Sequence, residues 1–426
     1  MNKLSRIQIR VVGVNHSTTP IDIREKLAIS SVHTADALYL LNRYVSQGVI
    51  LSTCNRTEVY SVTESGCTYH PSIDFLKAWA NISNTDLQPH LYCYQDEAAV
   101  KHLFCVAAGL DSLIIGEFEI LGQVKQSLEK AKRAGLVELP LRNLFQQALH
   151  VGRRVREKTG VSKNALSVSS VAVELAAKAI GNLTNCKALV IGSGEAGRLV
   201  AKALKERGIA QITTTSRSYK KASALAAALG GDAVGIDNLS QQLANCDIVI
   251  SCTGAPHFIL DRGTIENTLQ IRANKPLVVI DIAVPRDVEP EVRQISNVFL
   301  YDIDDFTYLS ELNRMQREAE IESAMEIIEA EVKRFIAWWQ AIEVKPIISS
   351  LVEKAEDIRQ RQLSMTLKKL RQLSPEEQER LDAMTKAIVQ KILHDPIQCL
   401  KNDVHSREDY IALVKELFRL DRDKPE

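Results

Sequence analysis

The stretch Ala188-Leu-Val-Ile-Gly-Ser-Gly-Glu-Ala-Gly197 decides the fold of the middle of the chain. Its apolar residues predict a buried strand, and glycines in the pattern Gly-x-Gly-x-x-Gly follow directly. Residues 198–207 then have the spacing of an amphipathic helix that ends at Gly208. A strand, a glycine turn and a helix in this order are typical of a dinucleotide-binding βαβ unit, in which the helix N-terminus faces a pyrophosphate.

The sequence around this turn continues the alternation of strands and helices. Further strands are predicted at 211–216, 247–251 and 277–281, and helices at 167–180 and 222–229. Runs of valine and isoleucine without polar alternation are typical of strands that are buried on both faces. We therefore expect a Rossmann-like parallel sheet within residues 159–303.

The residues after the second of these strands indicate which dinucleotide binds. An NAD site carries an acid about 20 residues after the glycines, where it binds the ribose hydroxyls. This chain has Ser216-Arg217-Ser218 there, and a guanidinium can bind a 2′-phosphate with two hydrogen bonds. The alternative is that these charges only solvate a strand end. We predict NADPH, bound by Gly192, Ser193, Gly194, Glu195, Ala196, Gly197, Ser216 and Arg217.

Two later strand ends carry polar residues. Cys252 follows one buried strand and is more typical of a small packing residue than of a nucleophile. The next strand ends in Asp281-Ile-Ala-Val-Pro-Arg-Asp287. Asp281 and Arg286 either face the nicotinamide or form a structural ion pair.

The first part of the chain, residues 1–158, is predicted to be an α+β domain. Strands are expected at 7–14, 48–53 and 58–62, a helix near 35–43, and helical spacing from residue 98 onward. An apolar strand runs straight into the polar cluster Ser52-Thr-Cys-Asn-Arg-Thr-Glu58. A cysteine at a polar strand end is a candidate nucleophile, although a lone cysteine is more often a buried packing residue. Arg56 either favours the thiolate, binds a substrate carboxylate, or pairs with Glu58 at the surface.

The third part, residues 304–426, is predicted to be helical. Apolar residues recur at helical spacing from Phe306 to Trp339, and neither Gly nor Pro interrupts them before Pro346. This predicts one long helix that ends there, with further helices at 347–373 and 375–393. A helix of this length favours a role in dimerisation, and the alternative is a solvated bundle without a partner.

Composition excludes several classes of protein. The 426 residues are 45% hydrophobic and 25% charged, and 53 basic residues balance 53 acidic ones. We expect no membrane span, because no run of about 18 apolar residues occurs, and no secretory signal. The cysteines are irregularly spaced, which favours reduced thiols in the cytoplasm. Cys67 and His70 lack a second ligand pair, so we expect no metal site.

A local basic cluster contrasts with the zero net charge. Its members are Arg142, Arg153, Arg154, Arg156, Lys158 and Lys163, with Glu157 as the single acid among them. Contact with nucleic-acid phosphates is one interpretation, and a solvated helix face is the other.

Several motifs together resemble the glutamyl-tRNA reductase family. They are Gly13-Val-Asn-His-Ser-Thr-Thr-Pro20, the Ser52–Glu58 cluster, Gly109-Leu-Asp-Ser-Leu-Ile-Ile-Gly-Glu117 with Ile120-Leu-Gly-Gln-Val-Lys125, and Asp281-Ile-Ala-Val-Pro-Arg-Asp-Val-Glu-Pro-Glu291. The resemblance covers all three parts of the chain in order. It implies a multidomain α/β protein with a catalytic α+β domain (1–158), an NADPH domain (159–303), and a long helix with an all-α dimerisation domain (304–426).

The resemblance also implies roles for matching residues. Cys54 would attack the aminoacyl ester and form a thioester, and His102 would assist as the second catalytic residue. Phe118 and Glu119 stand where the family commonly has Pro-Gln. The implied substrate-binding residues are Thr53, Asn55, Arg56, Ser112, Glu117, Phe118, Glu119 and Gln123.

The implied reaction is the NADPH-dependent reduction of glutamyl-tRNA(Glu) to glutamate-1-semialdehyde, the first step of five-carbon tetrapyrrole (5-aminolevulinate) biosynthesis. A homodimer and a transient complex with glutamate-1-semialdehyde aminomutase are implied partners. Because the thiol and the dinucleotide lie on different predicted domains, we expect domain closure to bring them together. Two alternatives stay open: a shikimate- or quinate-type NADP dehydrogenase, and a non-catalytic dimeric tRNA-binding protein that senses NADPH.

Overall fold

A computed structural model describes the chain outside residues 1–6, 65–69, 164–166, 273–274, 307–313, 316, 371–372, 403–412 and 421–426. The chain divides into two compact units, residues 1–332 and 333–426. The first unit contains both the predicted catalytic domain and the predicted nucleotide domain, so the boundary between residues 158 and 159 stays a prediction.

The first sheet is antiparallel and has four strands, in the order β2-β3-β1-β4. They are β1 (Ile7–Asn15), β2 (Gly48–Ser52), β3 (Arg56–Glu64) and β4 (Tyr92–Gln95). The first three were predicted. The fourth was missed because it has only four residues, three of which are exposed. Since β2 ends at Ser52 and β3 begins at Arg56, Thr53, Cys54 and Asn55 form the tip of a hairpin.

Helices pack around this sheet and fill the predicted α+β domain. They are α1 (Ile21–Leu27), α2 (Thr34–Leu41), α3 (Pro71–Ala80), α4 (Asn84–Leu87), α5 (Asp96–Ala108), α6 (Glu119–Arg133) and α7 (Leu139–Lys158). In α5, Val100, Leu103 and Val106 are fully buried, as their helical spacing predicted. The predicted helix near 35–43 corresponds to α2.

The second sheet is parallel, with the order β7-β6-β5-β8-β9-β10. This is the doubly wound order, in which ligands bind where the order reverses, beside the carboxyl ends of the central strands. Its strands are β5 (Lys187–Ile191), β6 (Gln211–Ser216), β7 (Asp232–Gly235), β8 (Ile248–Ser251), β9 (Leu277–Asp281) and β10 (Val298–Asp302). Its helices are α8 (Val168–Ile180), α9 (Glu195–Glu206), α10 (Tyr219–Leu229), α11 (Leu239–Asn245) and α12 (Arg262–Ile271).

The N-terminal cap of α8 is visible in the sequence. The Ser167 side chain accepts a hydrogen bond from the backbone N–H of Ser170, which begins the helix where it was predicted. Short 3-10 helices occupy Gln88–His90, Leu183–Asn185, Ile236–Asn238, Pro290–Gln294 and Ile303–Phe306.

Two long helices follow the second sheet, α13 (Glu318–Lys369) and α14 (Pro375–Asn402). The predicted end at Pro346 is wrong, because α13 continues through this proline for a total of 52 residues. A proline inside a helix costs about 3 kcal/mol, and its neighbours offset this cost. Val344, Ile347 and Leu351 are buried in an apolar cluster with Leu393 and Leu400 of α14.

Some of the predicted long helix lies outside the described residues, which omit 307–313. Within the described residues, no helix is long and apolar enough to cross a membrane.

The thiol-bearing half and the nucleotide half share one hydrophobic core. Ile21, Leu113 and Ile114 of the first half pack in the same cluster as Ile280 and Ile282 at the end of β9. Cys54 packs against this cluster. The two halves are thus in contact through this core, and the closure expected to bring the thiol to the dinucleotide stays a prediction.

Candidate active site

The tip of the β2–β3 hairpin is held by its own hydrogen bonds. The Thr53 backbone N–H donates to the Arg56 carbonyl at 2.8 Å. In return, Thr53 Oγ1 accepts from the backbone N–H groups of Asn55 and Arg56 at 3.1 and 3.2 Å. These bonds fix the turn and present Cys54 at its apex, where the side chain is half-buried.

Neighbouring segments hold the Cys54 turn from outside. The His16 backbone N–H donates to the Asn55 carbonyl at 2.9 Å, and Arg24 Nη1 donates to the Cys54 carbonyl at 3.2 Å. Burial, followed by the carboxyl groups of Glu117 and Glu119, raises the pKa of the Cys54 thiol to about 12, whereas Arg24 acts to lower it. The thiol is therefore protonated at neutral pH.

Arg56 lies inside the protein, with only 2% of its surface exposed. Its Nη1 donates to Glu58 Oε1 at 2.8 Å and to Asp111 Oδ2 at 2.7 Å, and its Nη2 donates to the Asp111 carbonyl. The predicted pairing with Glu58 exists, but it is buried rather than at the surface. The guanidinium that lowers the pKa of Cys54 is that of Arg24.

Glu58 is the centre of a buried polar network that includes His102. Its carboxylate accepts from His102 Nε2 at 2.8 Å, and from the Tyr60 and Tyr92 hydroxyls at 2.6 Å each. Burial alone would raise the pKa of Glu58, but His102 and Arg56 hold it far below its usual range. The His102 ring also packs against Tyr92 and Tyr94, at centroid distances of 5.3 and 5.0 Å. The ring is thereby fixed in place.

Glu58, His102 and Asp111 have ligand atoms within 4.8 Å of one another, a spacing that would suit a metal ion. However, Arg56 Nη1 is bonded to both carboxylates. The guanidinium thus supplies the positive charge that a cation would bring to this position.

The predicted substrate-binding residues of the second motif lie before and within the first turns of α6. Ser112 and Glu117 are buried, at 7% and 6% exposure, and burial raises the pKa of Glu117. Burial and the charges of Glu117 and Glu195 raise the pKa of Glu119 to about 7. Glu195 begins α9, so the charge at the start of this helix acts on Glu119. Gln123 is half-buried on α6.

Phe118 differs from these residues because its side chain is 63% exposed. The Arg156 guanidinium lies over its ring at 5.9 Å. Arg156 also donates to the carbonyls of Ala107 and Glu117, at 3.0 and 2.9 Å. It therefore holds the segment before α6 rather than facing solvent.

The three glycines of the nucleotide turn are needed for different reasons. Gly192 has a φ of +122°, and a Cβ on Gly197 would lie 2.1 Å from the Gly192 carbonyl oxygen, so both positions require glycine for the protein's own packing. A Cβ on Gly194 would meet nothing within 4 Å. Gly194 is also the N-cap of α9 and offers no side chain to cap its N–H groups. This space beside uncapped N–H groups fits the approach of a pyrophosphate.

The end of β6 lies beside the glycine turn. Ser193 Oγ donates to Ser216 Oγ at 2.9 Å, which joins the glycine turn to the end of β6. Arg217 is exposed next to it. A dinucleotide on the glycine turn would therefore have a guanidinium near its ribose.

Asp281 and Arg286 bind different partners, so the predicted ion pair between them is wrong, and their facing the nicotinamide stays a prediction. Asp281 is 1% exposed and accepts hydrogen bonds from the backbone N–H groups of Ala283, Asp287 and Val288. Arg286 pairs instead with Asp22 and Glu25 of α1. The turn after β9 is therefore a connector between the two halves. Cys252 is a packing residue, as expected, since only 9% of it is exposed.

The basic cluster, on α7 and just after it, divides into two groups. Arg154 pairs with the buried Glu331 at 2.6 Å, and Arg156 is bonded to backbone carbonyls. The other four are exposed: Arg142, Arg153, Lys158 and Lys163. Of Cys67 and His70, at which no metal site was expected, Cys67 lies outside the described residues.

Sequence reasoning missed four residues of the site: His16, Arg24, Glu58 as a partner of His102, and Asp111. Asp111 and His16 lie within motifs that carry the family resemblance. That signal marks them as important, but it does not reveal which groups they contact. Arg24 had no signal, because one arginine on a short helix is an ordinary surface pattern.

Family models match the chain in three successive regions. Residues 12–159 match the N-terminal domain of glutamyl-tRNAGlu reductase, and residues 174–309 match shikimate/quinate 5-dehydrogenase. Residues 323–420 match the dimerisation domain of glutamyl-tRNAGlu reductase.

Individual relatives match over almost the whole chain. The glutamyl-tRNA reductase of Natranaerobius thermophilus is 40% identical over 97% of this chain and 92% of its own length. That of Bacillus subtilis is 39% identical over the same shares. The solved structure of the enzyme from Methanopyrus kandleri is 30% identical, covers 97% of this chain and 99% of its own, and has a TM-score of 0.52.

The parallel sheet with its glycine turn, next to a thiol on a second domain, defines an oxidoreductase of the nicotinamide-nucleotide class. The matches along the full length then identify the family. The chain belongs to the glutamyl-tRNA reductase family.

Proposed function

We propose that this chain reduces glutamyl-tRNA(Glu) to glutamate-1-semialdehyde with NADPH, through a thioester on Cys54. This is the first step of five-carbon tetrapyrrole biosynthesis. The observation that carries the proposal is the position of Cys54 at a hairpin tip, packed against the core that ends the nucleotide sheet. A rival shikimate- or quinate-type dehydrogenase would need no such thiol.

Cys54 and His102 divide the chemistry of acyl transfer. The Cys54 sulfur forms a bond to the acyl carbon, and the ester C–O bond breaks. The thiol proton must end on the departing ribose oxygen, and His102 is our candidate for handling it. Glu58 fixes the imidazole through Nε2, so the ring keeps one orientation during the transfer, as carboxylate partners do for catalytic histidines.

A buried polar atom without a partner favours an amino-acid ligand beside the thiol. Asn55 Oδ1 is buried and has no hydrogen bond from the described residues, and Ser112 has its hydroxyl toward Glu117. Buried polar groups are usually satisfied, and the ammonium group of a glutamyl ester would be a suitable donor to Asn55 Oδ1. Arg56 would bind the substrate carboxylate in place of Asp111, whose side chain is 38% exposed. Thr53, Glu117, Phe118, Glu119 and Gln123 complete the proposed substrate site.

The proposed NADPH site uses the glycine turn Gly192–Gly197, with Ser193, Glu195 and Ala196, and the strand end at Ser216 and Arg217. The space at Gly194 and the uncapped start of α9 would hold the pyrophosphate. Arg217 would bind the 2′-phosphate that distinguishes NADPH from NADH. When bound, NADPH supplies the hydride that reduces a thioester to an aldehyde.

Acyl transfer without NADPH is the test of this proposal. The protein is incubated with radiolabelled glutamyl-tRNA, and acid-stable label is sought on the polypeptide. We expect label on the native chain and on a Cys105→Ser control, and none on Cys54→Ser. NADPH should then release the label as an aldehyde. Unlabelled native protein would contradict the proposal, and tRNA binding without label would favour the non-catalytic alternative.

We propose that the exposed basic residues of α7 contact tRNA phosphates. Arg142 and Arg153 are 11 residues apart, three helical turns, so they share one face. Arg142→Glu with Arg153→Glu should lower tRNA affinity at least tenfold and reduce its dependence on salt. NADPH affinity should not change. Unchanged tRNA affinity would assign the binding surface elsewhere.

The remaining proposals concern partners and location. The dimerisation-domain match supports a homodimer. We propose transient handover of the product to glutamate-1-semialdehyde aminomutase, because an α-amino aldehyde is unstable in water. We also propose a cytoplasmic location, which agrees with free cysteines throughout the described residues.

A further inference from the structure

Arg24 of α1 makes contacts in three directions. Only 3% of the residue is exposed. Its Nε donates to the Thr19 carbonyl at 3.1 Å and its Nη1 to the Cys54 carbonyl at 3.2 Å. Its Nη2 donates to the Asp304 carboxylate. A buried guanidinium with all three nitrogens bonded is rigidly placed.

The contact with the Cys54 carbonyl places a fixed positive charge beside the thiol. The other charges that act on this sulfur, from Glu117 and Glu119, are negative and disfavour the thiolate. Arg24 acts against them. It also restrains the peptide group that sets the direction of the Cys54 side chain.

Asp304 connects this arrangement to the nucleotide half. It lies in the 3-10 helix Ile303–Phe306, directly after β10. A second link to the nucleotide half is made by Arg286, which follows β9 and forms ion pairs with Asp22 and Glu25 of α1. The short helix α1 thus joins two strand ends of the parallel sheet to the turn that carries the thiol.

We propose that Arg24 is a positioning residue for Cys54, and that Asp304 fixes Arg24 from the nucleotide half of the protein. Arg24 touches neither the reacting carbon nor the cofactor in this scheme. It acts by orienting the Cys54 peptide and by favouring the thiolate form of the side chain. The inference rests on the proposed role of Cys54 as nucleophile.

The rate of Cys54 alkylation by iodoacetamide tests this directly and needs no substrate. Below the pKa of a thiol, the rate is proportional to the thiolate fraction. Loss of an adjacent cation raises a thiol pKa by about one unit, so Arg24→Gln should alkylate about tenfold more slowly between pH 7 and 9. Peptide mass spectrometry measures the alkylated fraction of Cys54 over time, and the alkylated fraction of Cys105 in the same sample is the internal reference.

Three further variants distinguish the effect of the Arg24 charge on the thiol from an effect of substitution on folding. Arg24→Lys keeps the charge and should recover part of the rate. Asp304→Asn should slow alkylation less than Arg24→Gln, and Asp305→Asn is the matched control, because Asp305 bonds Arg293 instead. Should Arg24→Gln fail to fold, Arg24→Lys and Asp304→Asn still decide the matter.

The two possible roles of Arg24 predict opposite changes in the rate of Cys54 alkylation. A merely structural role for Arg24 would loosen the hairpin on substitution, expose the thiol and speed its alkylation. Equal or faster alkylation in Arg24→Gln or Asp304→Asn would therefore overturn the inference. Native protein that forms no acyl-enzyme with labelled glutamyl-tRNA would instead overturn the proposed function, so the two failures are distinguishable.

Discussion

Cys54 is a protonated thiol in the free protein, because burial and two nearby carboxyl groups oppose its ionisation. A protonated thiol is a poor nucleophile and also a poor target for oxidants. An ammonium group bound beside Glu117 and Glu119 would offset their negative charge. Binding of the aminoacyl ester would then itself favour the thiolate.

Glu119 makes this balance depend on pH. Its pKa is raised to about 7 by burial, Glu117 and Glu195, so the side chain is neutral below that pH and negative above it. Glu119→Gln removes the negative charge that opposes the thiolate. We expect faster alkylation of Cys54 in Glu119→Gln at pH 8, by about threefold or more, and little change at pH 6.

The control for this prediction is Glu129→Gln, at the far end of the same helix, where the carboxylate pairs with Lys132. It should leave the alkylation rate unchanged at both pH values. A Glu119→Gln profile parallel to that of the native chain from pH 6 to 8 would show that Glu119 does not act on the thiol.

The residue types of the site were predictable from the sequence, but their partners were not. Cys54 and Arg56 stand out because a polar cluster follows an apolar strand. Whether Arg56 faces solvent or Glu58 depends on Asp111, which is 55 residues away and becomes a neighbour only after folding. Electrostatic environments are set by such distant contacts, so the raised pKa of Cys54 could not be read from its motif.

Secondary structure was most predictable where one local signal was strong. Strands β6 and β9 have the predicted bounds because each is a continuous β-branched run, and α8 begins at a serine cap. Strand β7 was missed because Asp232-Ala-Val-Gly235 is short and carries little apolar pattern. Its pairing with β6 makes it a strand.

Helix α13 shows the limit of local rules. Pro346 is a reliable helix stop in an isolated peptide. Here the residues on both sides of it pack against α14, and this tertiary burial outweighs the local cost. Only knowledge of the packing partner could have predicted one helix rather than two.

The glycine turn before α9 allows binding and folding to be separated by substitution. Gly194→Ala places a methyl group where the protein has space, and the backbone φ of −78° accepts alanine. We expect unchanged thermal stability and at least tenfold weaker NADPH binding, measured by nucleotide fluorescence. Unaltered NADPH affinity in Gly194→Ala would place the pyrophosphate elsewhere.

Gly197→Ala is the matched comparison in the same turn. Its methyl group would collide with the Gly192 carbonyl oxygen, so the turn must shift. We expect this variant to lose stability by about 1–3 kcal/mol in urea denaturation. Equal stability of the two variants would contradict the assignment of Gly197 to packing.

At the scale of the whole molecule, α14 presents an apolar stripe. Met384, Ile388 and Ile392 lie four residues apart and are 52%, 48% and 64% exposed. Such a stripe is typical of a helix that packs against a partner, and it lies within the region that matches a dimerisation domain.

Charges on this stripe should therefore dissociate the homodimer. Ile388→Asp with Ile392→Asp should lower the mass measured by light scattering from twice 47.4 kDa to 47.4 kDa. Lys391→Asp, one residue from the stripe, is the control and should leave the dimer intact. A dimeric double variant would place the interface on another surface.

The shared core of the first unit limits how this protein can be rearranged. Ile21, Leu113 and Ile114 from the thiol-bearing half bury their side chains among residues of the parallel sheet. A nucleotide domain transplanted from a shikimate-type dehydrogenase would have to reproduce that apolar face, residue by residue, before any chemistry could be grafted onto it. The nucleotide-binding part is therefore not interchangeable by itself, because its apolar face is shaped to the part that carries the hairpin.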